Sequence, residues 1–282
     1  MKRVDRGSRK HILDWTDLED DGFLLPFNEL LRPTGTVVRP SDVWMPRGYG
    51  MPEEAKLSAV PPAFLPKAVQ RQLSDWWLVH KRGANVPNWD LLATCSIGGQ
   101  RGLVLVEAKA HENELSSAGK DLRANASDNS RANHERIGQA IEEARQALDR
   151  ITPGVGISRD SHYQLSNRVA FAWKLASLGV PTILVYLGFI GDEGIQDVGP
   201  NFRNETHWQE IVWDYMNPVL PSDLVERRIP CDAAKMQLII RSRSVLKPSP
   251  EKGVHTATAK LPPKSSARPP SRRCSGRSCT SR

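Results

Sequence analysis

Three charged residues in the middle of the chain have types and a spacing that could support phosphodiester hydrolysis. Asp90 opens an apolar segment, and sixteen residues separate it from Glu107, which is followed at the second position by Lys109. Two carboxylates can hold Mg²⁺ or Mn²⁺ against a phosphate group. A neighbouring lysine can position the attacking water and stabilise developing negative charge. Asp90, Glu107 and Lys109 are therefore the candidate catalytic residues, with Asp90 and Glu107 as the candidate metal ligands.

A β-hairpin is predicted around these residues, and it would bring them together. Two strand-like runs, WDLLATCSI and GLVLVEAKA, flank a glycine-rich turn at residues 98–101. Side chains alternate across a strand, so Glu107 and Lys109 share one face while Ala108 points to the other. A turn centred near residue 99 then places Asp90 roughly opposite the segment from Glu107 to Lys109.

The segments on either side of the hairpin predict an α/β fold, with a mixed central sheet flanked by helices. Residues 103–106 (LVLV) are apolar on both faces, which is typical of a central strand covered on both sides. Residues 182–190 (TILVYLGFI) predict another buried strand, and residues 236–240 predict a short one. Apolar residues at helical spacing predict three helices, over residues 62–78, 134–150 and 161–178.

Changes in composition divide the chain into three parts. Residues 1–60 lack sustained periodicity and predict an irregular N-terminal arm, whereas residues 61–245 contain the patterned elements of a folded domain. Residues 246–282, rich in Pro, Ser, Lys and Arg, predict a disordered basic tail.

The net charge of +7 belongs to the end of the chain. From Arg241 onward there are eleven Lys or Arg residues and one acid, whereas residues 1–240 contain 28 basic and 31 acidic residues. The overall charge is therefore weak support for a nucleic-acid-binding surface on the folded part, although a basic tail can add non-specific phosphate contacts.

The motif resembles that of the PD-(D/E)xK, or restriction-endonuclease-like, nuclease superfamily. The pattern here is Pro87-Asn88-Trp89-Asp90, sixteen residues, and then Glu107-Ala108-Lys109, with the proline three residues before the aspartate instead of beside it. The resemblance covers about residues 62–190. It implies a restriction-endonuclease-like core within the 61–245 domain, in which Asp90 and Glu107 bind Mg (or Mn) and Lys109 assists the attacking water.

The acid-x-Lys tripeptide by itself is not specific. With 32 acids and 13 lysines among 282 residues, chance gives about 1.5 matches, and the chain contains two. The second match, Glu54-Ala55-Lys56, has no strand before it, whereas Glu107-Ala108-Lys109 ends an aliphatic run that follows a hairpin. The context therefore favours Glu107-Ala108-Lys109 over Glu54-Ala55-Lys56.

The resemblance leaves two further roles open. Many members of the superfamily use an acid from the preceding helix, and Glu53, Glu54 and Asp75 remain alternatives for it. Some exonuclease-type members place a glutamine on the helix after the motif, for which Gln139 is preferred over Gln164.

Two sets of polar residues lie near the motif in the sequence. Gln164, Asn167 and Arg168 recur at helical spacing; a stripe facing solvent is the default expectation, and a stripe facing the cleft is the alternative. A set of basic residues could contact phosphates or simply be solvated: Lys120, Arg123, Arg131 and Arg136.

These patterns predict a metal-dependent nuclease that acts on nucleic acid, with DNA as the expected substrate. The sequence does not distinguish endonuclease from exonuclease action or DNA from RNA as the substrate. It also leaves open whether cleavage depends on sequence and whether the protein forms a homodimer. A non-catalytic nucleic-acid-binding or assembly module on the same fold is the alternative, and an unrelated α/β fold without a site is the third. No apolar run is long enough to span a bilayer and the N-terminus has no apolar signal region, so we expect no membrane partner and a cytoplasmic location.

Overall fold

A mixed β-sheet with helices on both faces forms the centre of the computed structural model, which describes residues 6–57, 64–82, 84 and 86–245. The prediction of an α/β fold with a mixed central sheet flanked by helices is confirmed, and the tail predicted at residues 246–282 lies outside the described residues. The helices are α1 (Gly7–Thr16), α2 (Asp20–Leu31), α3 (Lys67–Trp77), α4 (Asp128–Asp149), α5 (Tyr163–Ser177) and α6 (Glu205–Met216). The strands are β1 (Thr36–Val37), β2 (Trp44–Met45), β3 (Ala55–Lys56), β4 (Asn88–Trp89), β5 (Leu91–Ile97), β6 (Gln100–Lys109), β7 (Thr182–Ile190), β8 (Arg228–Cys231) and β9 (Ala234–Ser244).

The strand β6 lies in the middle of the sheet. It forms an antiparallel hairpin with β5, in which Leu91 lies opposite Val106, and it runs parallel to β7, where Lys109 lies beside Gly188. The order across the sheet is β1-β5-β6-β7-β9-β8, and β2 also pairs with β5. The central position predicted for this strand is therefore confirmed, and its carboxyl end carries Glu107.

Alternation along β6 divides its side chains between two hydrophobic cores. Odd-numbered residues such as Leu105 pack with apolar side chains of α3, α4 and α5, whereas even-numbered residues such as Val104 pack with those of α1 and α2. Burial of each such side chain contributes about 1.5–3 kcal/mol, so the strand is held from both sides. By the same alternation, Glu107 and Lys109 project toward the layer formed by α3, α4 and α5.

The prediction of an irregular arm over residues 1–60 is wrong for residues 7–31, which contain the helices α1 and α2. The helices α1 and α2 pack on the sheet, where Trp15, Phe23 and Phe27 are buried with ring centroids 5.2 to 5.6 Å apart. The sequence hides these helices because α1 has only ten residues and α2 contains Pro26, so neither shows sustained helical periodicity. Residues 32–57 form two short 3₁₀-helices and three two-residue strands joined by turns.

The predicted hairpin, buried strand and three helices are present, with shifted boundaries. The helix expected over residues 134–150 begins earlier, at Asp128, because the side chain of Ser127 accepts a hydrogen bond from the backbone N–H of Ser130 and caps it. The last strand is longer than the expected 236–240 because it pairs with β7 from Met236 to Ser244 and with β8 from Ala234 to Gln237.

Gly188 in β7 allows the indole ring of Trp208 to lie directly on the sheet. A Cβ atom at position 188 would lie 2.3 Å from a ring carbon of Trp208. We therefore expect Gly188→Ala to lower the free energy of unfolding by about 1–3 kcal/mol, measured by urea titration. The control Gly50→Ala adds a Cβ with no atom within 4 Å, so we expect a change of no more than about 0.5 kcal/mol. Equal stability of the two variants would contradict this packing.

Candidate active site

A cleft at the carboxyl end of β6 contains all three residues predicted to do chemistry. Asp90 lies in the bend between β4 and β5, and Glu107 and Lys109 belong to the last three residues of β6. The cleft has a volume of about 1270 Å³, and residues from α1, α4 and α5 also line it. The fold thus brings together side chains that are separated by sixteen residues in the sequence.

The backbone of β6 holds Asp90 in position. Its Oδ2 accepts a hydrogen bond from the backbone N–H of Ala108 at 2.8 Å. Trp89, which precedes Asp90, is fully buried, and β5 begins directly after Asp90. The backbone on both sides of Asp90 is therefore fixed. Asp90 therefore lies opposite the segment from Glu107 to Lys109, in agreement with the predicted register.

Glu107 is a buried carboxylate held between two cations. Lys109 Nζ donates a hydrogen bond to Oε1 at 2.6 Å, and Arg168 Nε donates one to Oε2 at 2.5 Å. Burial alone would raise the pKa of Glu107, but the positive charges of Arg168 and Lys109 outweigh burial and hold this pKa below its ordinary value. Glu107 is therefore ionised at neutral pH.

Asp90 has the opposite electrostatic environment. Burial, followed by repulsion from Glu107, raises the pKa of Asp90 to about 7, although Lys109 attracts its charge. Its side chain is nevertheless partly exposed to the cleft. The ionised form of Asp90 is thus poorly compensated by the protein alone, and a bound cation would stabilise it.

One face of α5 supplies polar partners to this cluster. Gln164, Asn167 and Arg168 all line the cleft, as expected for residues three and four positions apart on a helix. Gln164 Oε1 accepts a hydrogen bond from Lys109 Nζ at 2.7 Å, and the Arg168 guanidinium lies 4.6 Å from the centre of the Trp89 ring. The default expectation that this stripe faces solvent is therefore wrong, because the helix is buried on nearly all sides.

Of the three upstream acids left open by the sequence, Glu54 is the one that lines the cleft. Its Oε2 accepts a hydrogen bond from Asn88 Nδ2 at 3.0 Å, two residues before the candidate ligand Asp90. Glu53 is exposed, and Asp75 forms an exposed ion pair with Lys81. Among the described residues, neither of these two acids reaches the cleft.

The two candidate glutamines, Gln139 and Gln164, differ in their position relative to the cleft. Gln164 contacts Lys109 directly, whereas Gln139 is exposed on α4 and is not part of the cleft wall within the described ranges. The sequence alone does not show which of the two helices faces the carboxyl end of β6, and the structure places Gln164, not Gln139, beside Lys109.

The start of α1 contributes residues that sequence reasoning did not place at the site. Arg6, Ser8 and Arg9 line the cleft, and Ser8 Oγ donates a hydrogen bond to Glu114 Oε1 at 3.1 Å. No local pattern marks them, because they meet the site only through packing of α1 on the sheet.

Of the four basic residues considered as phosphate contacts, Lys120 lines the cleft. Its Nζ lies 4.8 Å from the centre of the Tyr163 ring, and burial lowers the pKa of Lys120. Within the described part of the chain, the cleft wall does not include the other three: Arg123, Arg131 and Arg136.

The oxygen donors of the cleft fit a hard divalent cation. Among the described residues, no three His, Cys, Asp or Glu side chains are grouped closely enough to hold a metal ion. Mg²⁺ usually keeps several waters and needs only one or two protein carboxylates, so the absence of a larger group has no bearing on such a site. Asp90 and Glu107 are the two carboxylates that would hold it, and the poorly compensated charge of Asp90 is consistent with that role.

Comparison of the chain with protein-family models, with curated proteins and with solved structures finds no match. In the ranges that the structure describes, no helix is long and apolar enough to cross a lipid bilayer. The function is therefore inferred from the chemistry of the cleft.

Proposed function

We propose that this chain is a Mg²⁺- or Mn²⁺-dependent nuclease that hydrolyses phosphodiester bonds in DNA on a restriction-endonuclease-like, PD-(D/E)xK core. The observation that supports this proposal most is the convergence of Asp90, Glu107 and Lys109 in one cleft at the carboxyl end of a central strand. Two carboxylates and a lysine are a set of groups that can support metal-assisted phosphodiester hydrolysis. Asp90 and Glu107 would bind the metal.

Each residue then has a separate part in the reaction. The metal, when bound, supplies positive charge that polarises the phosphate. Lys109, oriented by Glu107 and Gln164, directs the attacking water and balances the negative charge that develops on the phosphate. The water oxygen bonds to phosphorus as the bond from phosphorus to one sugar oxygen breaks. The water gives up a proton to solvent and the leaving oxygen takes one up, which yields a phosphate monoester and a hydroxyl group.

Further cations in the cleft support a nucleic acid as the substrate. Arg9 and Lys120 line it in addition to the cations that hold Glu107. Positively charged side chains around a catalytic centre commonly bind the phosphates that flank the cleaved bond. Arg9 and Lys120 therefore offer contacts for the phosphates of a nucleic acid that lies in this cleft.

A non-catalytic nucleic-acid-binding or assembly module on the same fold is the second candidate. The observation that favours it is that both oxygens of Glu107 already accept hydrogen bonds, from Lys109 and Arg168. A metal ion would have to share this carboxylate with those two cations. Direct measurement of cleavage distinguishes the two candidates.

The purified protein is expected to cut plasmid or linear DNA in Mg²⁺ or Mn²⁺ and not in EDTA. Because they remove a metal ligand and the water-directing cation, Asp90→Ala and Lys109→Ala should each slow cleavage by at least about 100-fold. The control Asp75→Ala removes an exposed acid outside the cleft and should cut at the wild-type rate. Supercoiled plasmid, compared with linear single- and double-stranded DNA, separates endonuclease from exonuclease action.

Two outcomes of this assay would count against the proposal. If folded wild-type protein cuts none of these substrates and no RNA, the non-catalytic module becomes the better account. If Asp90→Ala and Lys109→Ala cut as fast as wild type, the cleavage does not arise from this cleft.

A further inference from the structure

Arg168 has a hydrogen-bonding edge that the contacts within the site leave unused. Its Nε donates to Glu107 Oε2 at 2.5 Å, and its Nη1 donates to Asn167 Oδ1 at 3.0 Å. Its Nη2 donates to none of the described residues. Arg168 lines the cleft and 10% of its side chain is exposed, so a ligand that lies in the cleft can approach the guanidinium group.

The guanidinium group is fixed in its present orientation. Glu107 holds one edge, Asn167 binds Nη1, and the ring of Trp89 lies 4.6 Å from the guanidinium carbon. Only 8% of the residue is exposed, so it has little freedom to turn away. A donor that is already oriented loses little conformational entropy when a ligand binds. Arg168 is thus a preorganised donor that lies close to both candidate metal ligands. It binds Glu107 directly, and it contacts Trp89, the residue before Asp90.

The charges around Arg168 favour an anion once a metal is present. Asp90 and Glu107 together carry two negative charges when ionised, and Lys109 and Arg168 carry two positive charges. A divalent cation would leave the cluster with an excess of two positive charges, which would attract a singly negative phosphodiester. A planar guanidinium also matches the paired oxygens of a phosphate.

We propose that Arg168 binds the phosphodiester directly, with Nη2 contacting a non-bridging oxygen while Nε holds Glu107. This proposal rests on the proposed nuclease function and assigns the phosphodiester group as the ligand of Arg168. A lysine at position 168 would keep the charge, but it could not donate along two edges of a planar group at once. Arg168 would then act as a catalytic residue as well as a support for Glu107.

The test uses Arg168→Lys and the thymidine dinucleotide TpT, which contains a single phosphodiester. Binding of TpT to the full chain is measured by saturation-transfer NMR in Ca²⁺. Loss of one charge-assisted hydrogen bond should weaken TpT binding about tenfold. The control Arg145→Lys changes an arginine that binds Glu142 through Nε and Nη2 but lies outside the cleft, and it should leave TpT binding unchanged.

Two further measurements separate phosphate contact from support of Glu107. Single-turnover cleavage of DNA by Arg168→Lys should be about 100-fold slower than wild type, while Mn²⁺ affinity, followed by electron paramagnetic resonance, should change less than threefold. For Arg168→Ala, added guanidinium chloride at millimolar concentration should restore part of the cleavage rate, whereas tetramethylammonium chloride should not. Thermal unfolding identifies any variant that is not folded. Because Arg168→Lys and Arg168→Ala test the phosphate contact separately, one of them remains informative if the other does not fold.

The outcomes distinguish failure of this proposal from failure of the nuclease function. Wild-type binding of TpT that Arg168→Lys retains in full would overturn the phosphate contact, as would no TpT binding by wild type. A loss of Mn²⁺ affinity as large as the loss of cleavage would also overturn it, because Arg168 would then act only through Glu107. Wild type that binds TpT through Arg168 but cuts no nucleic acid would instead overturn the nuclease function and support the phosphate contact.

Discussion

Asp90→Asn is expected to abolish cleavage and, at the same time, to stabilise the folded protein without metal. The pKa of Asp90 is about 7 in the folded protein, compared with an ordinary value of 3.8, because of burial and the nearby charge of Glu107. Asparagine keeps an oxygen that can accept the hydrogen bond from the N–H of Ala108, but it carries no charge. The substitution therefore removes an unfavourable charge together with a metal ligand.

The size of this stabilisation should depend on pH. Because the pKa is raised by folding, the folded state binds the proton of Asp90 more tightly than the unfolded state does. The contribution of Asp90 to stability is thus most favourable below about pH 4, and it is lost as the pH rises toward about 7. The gain in the free energy of unfolding from Asp90→Asn is therefore greatest above pH 7. A pKa difference of one unit corresponds to about 1.4 kcal/mol, so the upper limit of this gain is about 4 kcal/mol.

Thermal unfolding in EDTA at pH 5 and pH 8 measures this effect. The Tm difference between Asp90→Asn and wild type should be larger at pH 8 than at pH 5, with about 2–4 °C for each kcal/mol of stabilisation. The control Asp75→Asn should leave the Tm unchanged at both pH values. Added Mn²⁺ should raise the Tm of wild type and not that of Asp90→Asn, since only the protein that binds the ion is stabilised by it. A variant less stable than wild type at pH 8 would show that the charge of Asp90 is compensated after all.

The part of the site that lies on the hairpin could be predicted from the sequence because its geometry is local. The turn after Ile97 contains Gly98 and Gly99, both with positive φ, and a short turn fixes the register of the strands on either side. The apolar run before Glu107 identifies the strand, and alternation assigns its faces. A register error of one residue would have moved Glu107 and Lys109 to the other core.

The rest of the site depends on packing between distant segments, which no local pattern specifies. The spacing of Gln164, Asn167 and Arg168 shows that they share one face of a helix, but not that this face meets the end of β6. The same holds for Glu54, which reaches the cleft through the pairing of β3 with β4, and for Arg9, which depends on the docking of α1. Local periodicity therefore predicts the elements better than it predicts their partners.

Glu107→Ala is expected to abolish cleavage and to destabilise the protein strongly, in contrast to Asp90→Asn. The carboxylate of Glu107 is the ion-pair partner of two largely buried cations, Lys109 and Arg168, and its removal leaves both cations without that partner. Breaking a buried pair in this way costs about 3–5 kcal/mol. For a chain of this size the Tm should fall by roughly 10 °C, measured in EDTA at pH 8.

The control for Glu107→Ala is Glu142→Ala, which breaks the exposed pair with Arg145 on α4 and should cost no more than about 1 kcal/mol. Equal losses for the two variants would contradict the picture of a buried, tightly coupled pair. Asp90 and Glu107 would hold the same ion, yet the protein surrounds the first with too little positive charge and neutralises the second. If both substitutions stop cleavage while Asp90→Asn raises the Tm, loss of the fold cannot explain the inactivity of Asp90→Asn, and the same holds for Glu107→Ala when cleavage is measured well below its Tm.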